Sequence, residues 1–394
     1  MTLSRRHFVQ TVGIGAGAAL TSSIWGRGRE NAIWSAIEPN LEAVAPGVIC
    51  IASNENPVGP GPKVLGELKA LLEGGKKPGR YSNQVGDLTD AIAKHFNVKT
   101  ENVLLGEGST EILRAATQVF TSKTKALVGT IPTYEECAGY AEMIGNPVKG
   151  VKLNADLKMD LDAMLAASKG AGLVFYCNPN NPVSTYVGAK ATRDYLTKMT
   201  QQSPDTLILV DEAYFDYVTD PDHETHVPFA LEHPNVIVAR TFSKAYGMAG
   251  LRQGYAIGQP ETLKKLRPWC APSGTGSLNL FGMAAATAAI SQDASFTANE
   301  RARNKEVRDM VTKWFKDRGM KPADCQANFM FVDTGMPAAE FRNACRAKNV
   351  LVGRDFPPYE KTHARISLGT MEEMQKAVKV FDQVLGKKTT TAAA

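Results

Sequence analysis

Cysteine is scarce and scattered. The six cysteines of this 394-residue chain are nowhere closer than twenty positions, so no CxxC pair offers a metal or redox site. Nor do six in this length make a disulfide scaffold, and they read as small buried hydrophobes. No metal is expected. No run of about 18 uninterrupted apolar residues occurs, which argues against a conventional membrane-spanning helix. Charge of one sign is in small excess: 45 Lys plus Arg against 40 Asp plus Glu, a formal +5. Residues 1–30 hold +3 of that, leaving the rest at +2, too weak a balance to suggest nucleic acid as a partner. What is present is ordinary globular composition, 43% hydrophobic, 22% charged and 8% aromatic, which excludes disorder, collagen and coiled coil.

The N-terminus reads as an address. Ser4-Arg5-Arg6-His7-Phe8-Val9-Gln10 precedes a small-residue apolar stretch from Thr11 to Trp25. A basic region followed by an apolar one marks a secretory signal. Paired arginines with Phe two places on resemble the twin-arginine export signal of bacteria. Such export carries folded proteins, so it implies folding in the cytoplasm and a periplasmic or exported destination.

The rest alternates strand and helix. Short apolar strands are expected at Val103–Leu105, Ala126–Gly129, Gly172–Tyr176, Thr206–Val210, Asn235–Arg240 and Arg252–Ile257. Helical patterns lie near 61–75, 86–96, 109–120, 133–143 and 188–202. This is the pattern of a mainly parallel sheet covered on both faces. Beyond a long helical stretch at about 293–318, strands Asn328–Val332 and Ala364–Leu368, with helices near 337–346 and 371–385, form a smaller α+β unit. The expected organisation is a signal segment (1–35), an N-terminal arm joining the small domain (36–75), a large domain (76–292), a small C-terminal domain (293–386) and a disordered tail (387–394).

In open α/β sheets ligands bind beyond the carboxyl ends of the strands. Four such ends carry suggestive residues. Gly106-Glu107-Gly108-Ser109-Thr110-Glu111 has the glycines, hydroxyls and helix start of an anion cradle, or else a capping box. Cys177-Asn178-Pro179-Asn180-Asn181-Pro182 presents amide side chains on a fixed turn, or is a plain loop. Asp211 ends an all-apolar strand, where a buried acid needs a cation unless it caps the next turn. Lys244, in Thr241-Phe242-Ser243-Lys244-Ala245-Tyr246-Gly247, is a Schiff-base candidate or a solvated loop lysine.

Joined in order, these fragments resemble the fold-type I pyridoxal-phosphate aminotransferases of class I/II, and within them the histidinol-phosphate aminotransferase branch. The resemblance runs from about Ser53 to Leu385. Its most specific motif is Ser243-Lys244-Ala245-Tyr246 with Ala249-Gly250-Leu251-Arg252-Gln253-Gly254-Tyr255; Ser53-Asn54-Glu55-Asn56-Pro57 also matches. It implies an α/β fold, a mainly parallel seven-stranded sheet between helices plus the smaller α+β domain.

It also implies roles. Lys244 would be the Schiff-base lysine and proton shuttle, and Asp211 the partner of the pyridine nitrogen. Asn181 and Tyr214 would bind the ring's phenolate oxygen, and Tyr134 would stack on the ring. Gly108, Ser109, Thr110, Ser243 and Arg252 would hold the phosphate. Tyr81 would reach the phosphate of a second subunit, making a homodimer; the family often has Pro after it, where this chain has Ser82. Arg365 would hold the substrate carboxylate, with Arg354, Asn56 and Asn328 also lining the substrate site. The family's Asn-Pro-Thr-Gly is here Asn181-Pro182-Val183-Ser184. The implied reaction moves an amino group between an amino acid, or an amine such as histidinol phosphate, and a 2-oxo acid. Decarboxylation or oxidation of an amino acid is the alternative on the same cofactor. A non-catalytic binding domain is a third. An exported enzyme is badly placed for histidine synthesis, so histidinol phosphate stands beside aromatic, basic and other amino acids.

Overall fold

A computed structural model describes residues 47–74, 79–80, 85–270, 277–292 and 294–386. The signal reading at 1–35, Tyr81 and the tail at 387–394 lie outside the described residues.

The chain begins with β1 (Ile49–Ile51), α1 (Gly61–Glu73), α2 (Val85–Phe96), β2 (Val103–Glu107), α3 (Gly108–Phe120) and β3 (Leu127–Ile131). Next come α4 (Glu136–Met143), β4 (Val148–Lys152), α5 (Leu161–Ala167), β5 (Leu173–Cys177), α6 (Ala189–Gln202) and β6 (Leu207–Asp211). Then follow α7 (Val227–Glu232), β7 (Val236–Thr241), β8 (Gln253–Gly258), α8 (Pro260–Leu266), α9 (Leu280–Ile290) and α10 (Ser295–Lys316). The last elements are β9 (Phe329–Asp333), α11 (Ala338–Arg346), β10 (Val350–Val352), β11 (His363–Ser367) and α12 (Met371–Leu385).

Strands β5, β6 and β7 are buried at every position. Alternate residues of a strand face opposite ways, so such strands feed two cores. Val174, Tyr176, Ile208, Val210 and Val238 join one, packed with α2, α6 and α9. Leu173, Phe175, Leu207, Leu209 and Ile237 join the other, packed with α3, α4 and α8. The seven-stranded sheet has the order β2-β8-β7-β6-β5-β3-β4, with β3 to β7 mutually parallel. This is the α/β, mainly parallel architecture expected. Strand β8 runs antiparallel to both β7 and β2. The carboxyl ends of β2, β3, β5, β6 and β7 and the amino end of β8 therefore share one edge of the sheet.

Strand β4 was not among the expected strands. It is an edge strand, its sequence Val-Lys-Gly-Val-Lys is mostly exposed, and no apolar run announces it. Helix α9 was also missed. Its sequence, LFGMAAATAAI, is apolar on every side and so carries no amphipathic stripe. The helix expected from 133 starts at Glu136. The residues before it form the loop after β3, and this puts Tyr134 at the functional edge.

A third core lies in the C-terminal part. Val307, Val311 and Phe315 of α10, Phe341 of α11 and Phe381 of α12 pack on β9 and β11, an antiparallel pair. Strand β1 pairs in parallel with β10, Ile49 opposite Val350, so the first described strand packs with the last part of the chain. Helix α12 starts with a capping box: Thr370 Oγ1 accepts from Glu373 N at 3.2 Å, and Thr370 N donates to Glu373 Oε2 at 2.7 Å.

Candidate active site

The edge shared by those strand ends encloses a cavity of about 280 Å³. One end is built by α3. Its N-cap, Glu107, makes no side-chain cap, and Glu107 N–H donates to Glu111 Oε2 at 2.8 Å. Ser109 and Thr110 therefore do not form the alternative capping box; they sit in the first helical turn and line the cavity. Gly108 has φ +69°, and a Cβ there would stand 2.4 Å from Arg252 Nη2. Gly254 is as constrained, since its Cβ would lie 2.2 Å from Ser109 N. Two bare backbones thus bring a helix start, two hydroxyls and a guanidinium together. Ser243 joins them, its N–H donating to Thr241 Oγ1 at 3.1 Å. An uncapped helix start beside an arginine is an anion site.

Lys244 lines the same cavity and is half-buried. Its Nζ donates to Ser53 O at 3.3 Å and lies 5.5 Å from the Tyr214 ring centre. Burial, helped by the charge of Arg365, lowers its pKa to about 8. A buried lysine with a depressed pKa is an activated amine, which the solvated-loop reading does not give. Asp211 is fully buried, and burial raises its pKa to about 6. Its Oδ1 accepts from Ala213 N at 3.1 Å and its Oδ2 from Cys177 Sγ at 3.8 Å. Among the described residues it has no ion-pair partner, so it presents a carboxylate in want of a cation. The next residue, Glu212, does have partners: Arg240 Nε at 3.0 Å, His226 N at 2.8 Å and Thr225 Oγ1 at 2.8 Å. Burial alone would raise Glu212, but Arg240 and His226 outweigh it and hold the pKa at about 2.

Asn181, Tyr134 and Tyr214 complete that end of the wall. Asn54 Nδ2 donates to Tyr214 Oη at 3.2 Å. Burial raises the Tyr134 hydroxyl pKa to about 12. Arg365, on β11, donates from Nη1 to Asn181 Oδ1 at 2.9 Å and from Nη2 to Ala52 O at 2.7 Å. Among the described residues its buried Nε has no hydrogen-bond partner. Burial lowers its pKa to about 10, and no carboxylate pairs with it among the described residues. A buried guanidinium without a counter-charge is suited to pair with a carboxylate. Arg354 lines the same cavity, with Nη2 bonded to Glu135 and Nη1 to Asp355 O at 3.0 Å.

A family model, "Aminotransferase class I and II", matches residues 46–381. The chain belongs to the class I and II aminotransferases. A histidinol-phosphate aminotransferase of Moorella thermoacetica is 34% identical over 347 residues, 86% of each chain. That of Bacillus subtilis is 32% identical over 340 residues, covering 86% of this chain and 92% of its own. The crystal structure of histidinol-phosphate aminotransferase from Sinorhizobium meliloti in complex with pyridoxal-5'-phosphate superimposes with a TM-score of 0.76 at 26% identity, covering 86% of this chain and 90% of that one. The protein is thus a pyridoxal-phosphate-dependent aminotransferase, and the decarboxylase, oxidase and non-catalytic readings are not favoured. The cavity suits that cofactor: an anion cradle at one end, an unpaired buried acid, and an activated lysine between its polar walls.

Two residues expected on the aminotransferase's substrate wall are not among those lining the cavity. Asn56 turns its Nδ2 to Ala245 O at 2.9 Å. Asn328 Nδ2 donates to Asn54 O at 3.0 Å and Glu55 O at 3.2 Å. Both hold the 53–56 segment against its neighbours, and Asn56 lines an adjoining cavity that shares Ser53, Ser243 and Ala249 with the first. Sequence reasoning missed Asn54 as a site residue, although it stood inside a recognised motif. Its φ of +57° and its bonds to Ser367 (2.8 Å from both N and Oδ1) and Tyr214 lock the segment in place. Asparagine's tolerance of left-handed backbone was the available signal. Glu135, which reaches the site through Arg354, carried no local signal.

Proposed function

We propose that this aminotransferase takes an α-amino acid, or an amine such as histidinol phosphate, as donor and a 2-oxo acid as acceptor. The observation that carries this is the gathering of Lys244, Asp211, Asn181, Tyr214 and Arg365 about one cavity. Pyridoxal phosphate, when bound, supplies an aldehyde that condenses with amines and a ring that takes up the electron pair left at a deprotonated carbon. Gly108, Ser109, Thr110, Ser243 and Arg252 hold its phosphate. Asp211 would pair with the ring nitrogen and keep it protonated, Asn181 and Tyr214 would donate to the phenolate oxygen, and Tyr134 would cover the ring face. Lys244 Nζ would hold the cofactor's aldehyde carbon and would serve as the base for the substrate Cα proton. Arg365 binds the α-carboxylate, or a phosphate in its place.

The relatives' names support histidinol phosphate as one candidate. The export reading supports other amino acids beside it. We extend the proposal to a homodimer exported folded by the twin-arginine machinery to the periplasm. Leu65 and Leu72, seven residues apart on one face of α1, are 55% and 65% exposed, as an interface helix would be in a lone chain. Tyr81 would then complete the partner's phosphate site. A panel of amino donors and 2-oxo acceptors with the cofactor-loaded protein tests the reaction. Transfer of the amino group is expected. Carbon dioxide or hydrogen peroxide as the main product would replace this reading.

A further inference from the structure

Arg365 and Arg354 stand over the same ring, their guanidinium carbons 4.6 Å and 4.4 Å from the centre of Phe356. Their partners differ. Arg365 has no anionic partner among the described residues, whereas Arg354 is ion-paired with Glu135. Glu135 opens α4, directly after Tyr134, and so reaches across from the β3 end of the sheet to the loop after β10. The side chains are a quarter (Arg354) and a half (Glu135) exposed. Glu136 turns the other way and pairs with Arg114.

We propose that Glu135 is a specificity-determining residue, which occupies Arg354 and so sets the site for substrates with one anionic group and an uncharged tail. This rests on the aminotransferase reading with Arg365 as the carboxylate receptor. A ligand with a single carboxylate meets Arg365 and leaves the Glu135–Arg354 pair intact. A dicarboxylate places its second anion where a carboxylate already sits. It must push Glu135 into solvent before it gains Arg354, and the exposure of Glu135 makes that displacement feasible at a penalty. Like charges brought together at a binding surface are a means of rejecting ligands.

The test is equilibrium binding of two unreactive acids, glutarate and 3-phenylpropanoate, to the cofactor-loaded enzyme, followed by absorbance and calorimetry. Glu135→Gln should tighten glutarate roughly tenfold and move 3-phenylpropanoate by less than about twofold. The gain should vanish in Glu135→Gln combined with Arg354→Gln, and Glu136→Gln should have no such effect. In turnover, the kcat/KM ratio of L-glutamate to L-phenylalanine should rise in Glu135→Gln. An equal change for both acids, a loss for glutarate, or a gain that persists without Arg354 overturns the proposal. An enzyme that binds both acids but transfers no amino group would refute the reaction and still report on Glu135.

Discussion

Arg365 Nη1 donates to Asn181 Oδ1 at 2.9 Å. A guanidinium can only donate, so the bond fixes the asparagine amide, leaving Nδ2 as the donor for another group. One arginine of the cavity wall therefore orients the amide of another residue that lines it. Arg365→Ala should lower kcat/KM for a carboxylate substrate by roughly 10² to 10³·⁵, the worth of one partner of a buried pair. An amine without the carboxylate should lose much less. The absorbance of the bound cofactor should shift as well, because Asn181 is set free. Equal losses for acid and amine would make Arg365 structural.

Lys244 gives a pH dependence with a definite sign. Its pKa is lowered to about 8 from 10.5, so half the amine is neutral near pH 8 in the cofactor-free protein. Only the neutral amine attacks an aldehyde. The rate at which added pyridoxal phosphate becomes covalently attached should rise with pH through about 8 and then level off. A rise that continues towards 10.5, the ordinary lysine value, would mean the amine is solvated.

The Glu212–Arg240 pair lies behind the site and bears on stability. Arg240→Met should destabilise the fold by about 3–5 kcal/mol, since it strands a buried carboxylate. The double variant with Glu212→Gln should recover part of that. Glu212 is held at about 2 against an ordinary 4.5, so its stabilisation is complete above 4.5 and is lost as pH falls towards 2. Acid titrations of thermal unfolding should show that slope in the native protein and a weaker one in Glu212→Gln.

These residues mark how far the sequence could be read. Strands β5 to β7 were legible from their apolar runs, and Asp211 and Lys244 because they stand at or just beyond the carboxyl ends of such strands. Strands β1 and β10 have three residues each and exist through their mutual pairing, 301 positions apart, which no local pattern encodes. The same distance hid Asn54, bonded to Ser367 across 313 positions, and Glu135, bonded to Arg354 across 219. Arg365 was legible from its motif, but its grip on Asn181 was not.

Export is tested apart from chemistry. Replacing Arg5 and Arg6 with Lys keeps the charge and removes the guanidinium pair that a twin-arginine receptor reads. Fractionation should then find the enzyme in the cytoplasm, active. Unchanged periplasmic recovery would reject this route.

The central claim is that Lys244 is the amine that carries the cofactor. Borohydride reduction of the pyridoxal-phosphate-loaded protein converts a C=N bond to a stable secondary amine, and digestion with mass spectrometry then locates it. The account predicts the cofactor's mass on the peptide containing Lys244, and no stable label in Lys244→Ala. A label on another lysine, or none on a protein that still transfers amino groups, would contradict it.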